Sequence, residues 1–75
     1  MVFEKVRKLL AELLSIDENK IEMDSLIIDG LGADSLDLVD AVVTINDEFG
    51  VEIPDDEIEN LRSVGDVVKY IEANM

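Results

Sequence analysis

The stretch Leu31–Gly50, "LGADSLDLVDAVVTINDEFG", decides the fold. Within it, Leu38, Val42, Ile45 and Phe49 fall within about 60° of one another at about 100° per residue, which is the core-facing stripe of a helix over 35–49. Leu36, Val39 and Val43 form a second stripe about 120° around from the first, and Asp40 and Asp47 lie just beyond it. Asp34 is a good N-cap, Asp37 stands where a capping-box partner belongs, and Gly50 is a C-terminal stop. The helix carries more apolar surface than one core contact uses. Either it sits centrally and is buried on two sides, or the second stripe is an apolar docking strip with acids alongside, suited to a partner with a basic rim.

Working outward, residues 16–34 read as a long connection rich in Asp, Asn, Ser and Gly, with Ile16, Ile21, Met23, Leu26, Ile27, Ile28 and Leu31 available to pack. Before it, Val2, Phe3, Val6, Leu9, Leu10, Leu13 and Leu14 recur at helical spacing, predicting a helix over 2–15. After Gly50, Pro54 followed by Asp55, Asp56 and Glu57 suits the opening of a short third helix ending near Leu61. Ser63 then caps a fourth helix whose buried stripe is Val64, Val67, Val68 and Ile71. Strand alternation is nowhere convincing. The expected fold is all-α: a single domain over 1–75, a small four-helix bundle with a long loop between helices 1 and 2 and a short helix 3.

The net charge of −13 is confined to the middle of the chain. Residues 1–20 carry four acids and four cations, and residues 62–75 carry two of each. Between Ile21 and Leu61 there are thirteen acids and no Lys or Arg. Phosphate contacts need a basic footprint, so the acidic block disfavours nucleic acid and anionic membrane surfaces as partners, and neither nucleic-acid binding nor membrane insertion is expected. A basic patch on another protein is the complement. No Asp-x-Asp/Asn-x-Asp/Asn-Gly loop with a closing Glu is present, so no calcium or other dedicated metal site is expected. The charged N-terminal stretch does not read as a signal peptide and no apolar run approaches the length of a membrane span. A soluble, cytoplasmic protein, working as a monomer, is the expectation.

The chain has no His and no Cys. It therefore lacks the commonest general base and any thiol of its own. Asp-Ser-Leu occurs twice, at Asp24–Leu26 and Asp34–Leu36. Ser25, followed by Leu26, Ile27 and Ile28, which should turn inward, reads as a turn residue. Ser35 lies where a Gly-containing loop meets a helix N-terminus, where unpaired N–H groups and the positive dipole end favour a bound or attached phosphate. Gly30, Gly32 and Ala33 leave little bulk around its hydroxyl.

Leu31-Gly32-Ala33-Asp34-Ser35-Leu36-Asp37 resembles the modification-site signature of acyl carrier proteins, and "EFGVEIPDDEIENLRSVGDVVKYI" is similar to that family's third and fourth helices. The resemblance implies a carrier without catalytic residues of its own. Ser35 would hold 4'-phosphopantetheine, delivered from coenzyme A by a holo-carrier synthase (a phosphopantetheinyl transferase), and Asp34 would cap the helix behind it. The arm's thiol would carry growing acyl chains as thioesters to fatty-acid synthesis enzymes and acyltransferases with basic docking patches. It also implicates Asp34, Asp37, Asp40, Asp47 and Glu48 as docking acids, with Leu36, Val39 and Val43 as apolar contacts. Leu26, Ile28, Val42, Ile45, Phe49 and Leu61 would line a cavity for the acyl chain. The family often has Glu at Asp40, Met at Val43, Glu at Asn46 and Asp47, and an acid where this chain has Gly30. Polyketide, aminoacyl and D-alanyl carriers remain open, as does an acidic helical interaction module that is never modified.

Overall fold

Burial of one stripe per helix organises the molecule. A computed structural model describes residues 2–75; Met1 lies outside the described residues. Helix α1, Val2–Leu14, turns Val6, Leu10 and Ala11 inward. Helix α2, Ser35–Phe49, buries Leu38, Ala41, Val42 and Ile45. Helix α3 is the single turn Asp55–Ile58, and helix α4, Val64–Ala73, buries Val64, Val67, Val68 and Ile71 as its spacing predicts. α4 packs chiefly on α1, α1 also on α2, and α3 touches α2. One continuous core joins them and also takes in Ile21, Ile27, Val51, Ile53 and Leu61 from the connections. Each fully buried aliphatic contributes about 1.5–3 kcal/mol, and no polar or charged side chain is buried among the described residues.

The helix ends follow local chemistry. Asp34 Oδ1 accepts from the Asp37 N–H at 2.9 Å and Asp37 Oδ2 accepts from the Asp34 N–H at 3.2 Å, a reciprocal capping box. Gly50 closes α2 in the left-handed region (φ 66°), its N–H donating to the Asn46 carbonyl. α4 opens on a second capping box, between Ser63 and Asp66.

Three expectations are corrected. The first helix stops at Leu14, because Ser15 turns left-handed (φ 57°) and the Ile16 N–H reaches back to the Ala11 carbonyl at 3.0 Å. The third helix ends at Ile58, not near Leu61; two tight turns follow, Asn60 N–H to Glu57 O and Leu61 N–H to Ile58 O, which swing Leu61 into the core. Of the three apolar residues after Ser25 only Ile27 turns fully inward, while Leu26 and Ile28 are each 46% exposed.

That connection contains a short 3-10 turn at Glu18–Lys20 and is then fastened to the start of α4. Ile27 N–H donates to Arg62 O at 2.9 Å, Val64 N–H to Ser25 O at 2.9 Å and Gly65 N–H to Met23 O at 2.7 Å. The fastening satisfies α4's first N–H groups, which have no partner inside their own helix, and fixes a loop that would otherwise wander.

Candidate functional site

Four serines occur in the chain, and their surroundings separate them. Ser25 Oγ accepts from the Glu22 N–H at 2.9 Å, and Ser63 Oγ accepts from the Asp66 N–H at 3.1 Å; both hydroxyls are committed to backbone. Ser15 and Ser35 are exposed and their hydroxyls make no hydrogen bond among the described residues. Ser15 closes the C-terminus of α1, the negative end of the helix dipole, whereas Ser35 is the first residue of α2, at the positive end. Only Ser35 combines a free hydroxyl with the positive end of a helix dipole. The adjacent Asp34 is engaged in the cap, its Oδ1 accepting from the Asp37 N–H.

Ser35 also borders a cavity of about 420 Å³ between α2, α3 and the long loop. Its floor is apolar: the buried Leu38 and Leu61 and the half-buried Ile58. Its exposed margin is Leu26, Ile28, Asp29, Glu59 and Arg62. The volume lies within the range of small-molecule sites, about 300–1,000 Å³. Of the expected acyl-cavity residues, Leu26, Ile28 and Leu61 meet here. Val42 and Ile45 are instead sealed in the core, and Phe49 lies at the far end of α2 with the Lys5 ammonium 5.8 Å over its ring. Leu38, Ile58 and Arg62 were absent from the sequence-derived cavity set. Arg62 could have been found, because it is the cation that ends the cation-free block.

The second stripe of α2 is on the surface. Leu36, Val39 and Val43 are exposed by 74%, 43% and 54%, which removes the reading in which this helix is buried on two sides. Asp40 and Asp47 are exposed and share an arc of about 60° with Leu36 and Val43. Asp37 is half-buried and tied into the cap. Glu48 is exposed but faces the groove toward α1, beside Lys5 and Lys8, away from the apolar stripe. The one ion pair among the described residues, Arg7 with Glu18 at 4.0 Å, is remote from α2, so the acids of its surface stripe stand uncompensated. No group of residues suited to holding a metal ion occurs among the described residues, and no helix is long and apolar enough to cross a membrane.

With this geometry in place, the comparisons are decisive. The family model for the phosphopantetheine attachment site matches residues 4–71. The chain belongs to the acyl carrier protein family. It is 53% identical to the acyl carrier protein of Clostridium acetobutylicum over 74 residues, covering 99% of this chain and 96% of that one. It is 46% identical to that of Clostridium perfringens over 70 residues, covering 93% and 92%. The solved structure of the acyl carrier protein from Enterococcus faecalis superimposes with a TM-score of 0.84 at 35% identity, covering 99% of this chain and 94% of the other. The all-helical fold is that of the family, and the family's prosthetic group is phosphopantetheine. The residues present fit such a group: an unengaged serine hydroxyl at a positive helix end, open to solvent, beside an apolar cavity.

Proposed function

We propose that this protein carries acyl chains in fatty-acid synthesis, with Ser35 as the point of attachment. The observation that carries the proposal is the free, exposed Ser35 hydroxyl at the positive end of α2, beside the cavity between α2, α3 and the loop. Once attached, phosphopantetheine supplies the thiol that a chain without Cys lacks, and hence the thioester chemistry.

The protein's own residues present, orient and shelter. Ser35 offers its oxygen as acceptor. With no His in the chain, the base that takes the Ser35 proton comes from the transferase, and the protein acts as substrate and carrier. Asp34 and Asp37 fix the helix start, which holds the Ser35 oxygen in place. Leu26, Ile28, Leu38, Ile58 and Leu61 offer an acyl chain a dry resting place. Leu36, Val39 and Val43, with Asp40 and Asp47 beside them, form the face that meets enzymes bearing basic patches: the apolar residues contribute buried area, and the acids set orientation and encounter rate. Glu48 sits apart from that face and contributes less to docking. The working place of such a carrier is the cytoplasm, alongside its enzymes.

The test is incubation with coenzyme A and a phosphopantetheinyl transferase. Intact mass rises by one phosphopantetheine in the native chain and in Ser25→Ala, and does not rise in Ser35→Ala. A mass gain that survives Ser35→Ala refutes the assignment.

A further inference from the structure

The cavity beside Ser35 has a single cation on it. Arg62 is the only Lys or Arg between Lys20 and Lys69, and the fold places it on the same cavity as the Ser35 hydroxyl. Its backbone is held from two sides: its N–H donates to Asp66 Oδ2 at 3.2 Å, and its carbonyl accepts from Ile27 at 2.9 Å. Its guanidinium is exposed and forms no ion pair among the described residues, although Asp29 and Glu59 border the same cavity. A strong donor fork is thus anchored at its base, unengaged at its tip and on the same cavity as the Ser35 hydroxyl.

We propose that Arg62 is a positioning residue for the arm: its guanidinium pairs with the phosphodiester attached at Ser35 and directs the arm along the cavity. The physical reason is local charge. Attachment adds an anion to a margin that already holds Asp29 and Glu59, inside a block of thirteen acids, and Arg62 is the one side chain there that offsets it. Guanidinium also matches phosphate geometry with paired N–H donors, which an ammonium does not. The α2 N-terminus supplies one side of the phosphate's environment and Arg62 the other, so the start of the arm is held between two elements.

This inference rests on Ser35 being the attachment point, and the experiment separates the two. Native protein and the variants Arg62→Gln, Arg62→Lys and Lys69→Gln are each converted with coenzyme A and transferase, and conversion is read by intact mass. The phosphorus NMR shift of the attached phosphodiester and the Arg62 Nε–H signal are then recorded. The expected result is that the Arg62 Nε–H signal of the native protein moves on conversion. The phosphorus signal shifts in Arg62→Gln, returns part of the way in Arg62→Lys, and stays at the native position in Lys69→Gln, which removes the same charge elsewhere. An Nε–H signal unmoved by conversion overturns the proposal, as does a phosphorus shift equal in Arg62→Gln and Lys69→Gln. The native measurement decides even if a variant folds poorly. Absence of any mass gain in the native chain overturns the Ser35 assignment and this proposal together; a mass gain with unmoved signals overturns this proposal alone.

Discussion

The two Asp-Ser-Leu tripeptides are identical in sequence and differently engaged. In the first, the backbone on either side of Ser25 is hydrogen-bonded to the start of α4, and the hydroxyl is spent on the Glu22 N–H. In the second, the acid is spent on the helix cap and the hydroxyl is left over. Polar groups in a small protein are mostly consumed by the backbone's own demands. A functional hydroxyl is one that the fold has no need of. The second tripeptide shows how this is arranged, because Asp34 does the capping that a serine often does and so releases Ser35.

The sharpest way to break the comparison is to exchange the two roles. Ser35→Ala is expected to remove phosphopantetheine attachment completely while leaving the stability within about 0.5 kcal/mol of native, since its exposed hydroxyl holds nothing. Ser25→Ala is expected to do the reverse: full attachment, with a stability loss of about 1 kcal/mol from the bond to Glu22. Mass spectrometry and thermal melting on the same samples read both. Equal stability losses in the two variants would dissolve the distinction.

Next in size is the link between the tripeptides. Leu26 O accepts from both Gly30 at 2.9 Å and Leu31 at 2.8 Å, closing a tight turn. A Cβ at Gly30 would lie 2.6 Å from that oxygen. Gly30→Ala is therefore expected to cost about 1–3 kcal/mol by overpacking, which for a domain of this size lowers the midpoint by several degrees. The larger share of the loss should come with a displaced loop, seen as chemical-shift changes from Leu26 to Ala33.

What the sequence made legible follows from which interactions are local. The limits of α2, its capping box, the Gly50 stop and the buried stripe of α4 all depend on residues within one or two turns, and each is where its pattern puts it. The place of Ser35 at the start of α2 was legible for the same reason. The early ends of α1 and α3 were not, because Ser15 and Leu61 are placed by a left-handed turn and by core burial, neither of which leaves a distinctive residue. The fate of Leu26 and Ile28 depended on whether α3 would close over them, a long-range matter. So did the cavity: Val42 and Ile45 share the apolar character of Leu38, and only the position of α3 decides which of them faces empty space. Glu48 came with the family resemblance; about 100° of rotation separates it from Asp47 and places it on the α1 side, beside Lys5 and Lys8.

A smaller effect isolates the cap from the hydroxyl. Asp34→Ala removes the acceptor for the Asp37 N–H and is expected to cost about 1 kcal/mol. Attachment should slow and not vanish, because the Ser35 oxygen remains but the helix end that holds it frays. Asp34→Asn, which keeps an acceptor, should recover most of the stability. Complete loss of attachment in Asp34→Asn would mean that the carboxylate acts on the reaction directly and that capping is not its main role.

The smallest effect concerns the cap against which the first tripeptide is fastened. Backbone N–H donation at Ser63 holds the Asp66 carboxyl below the usual carboxylate range; desolvation opposes it, and Arg62 N–H, the Ser63 hydroxyl and the Lys69 charge add to the lowering. A carboxylate whose pKa is depressed by folding adds stability that is present above its unfolded value, near pH 4, and is lost as pH falls through the folded value. Asp66→Asn should therefore lower the midpoint at neutral pH, and the gap from native should narrow as pH drops below about 4. Because Asp66 orders the segment bonded to Met23, Ser25 and Ile27, amide exchange in that segment should quicken in the variant while exchange at the start of α2 is unchanged. A gap that stays constant with pH would mean that the Asp66 contribution is geometric and owes nothing to its charge.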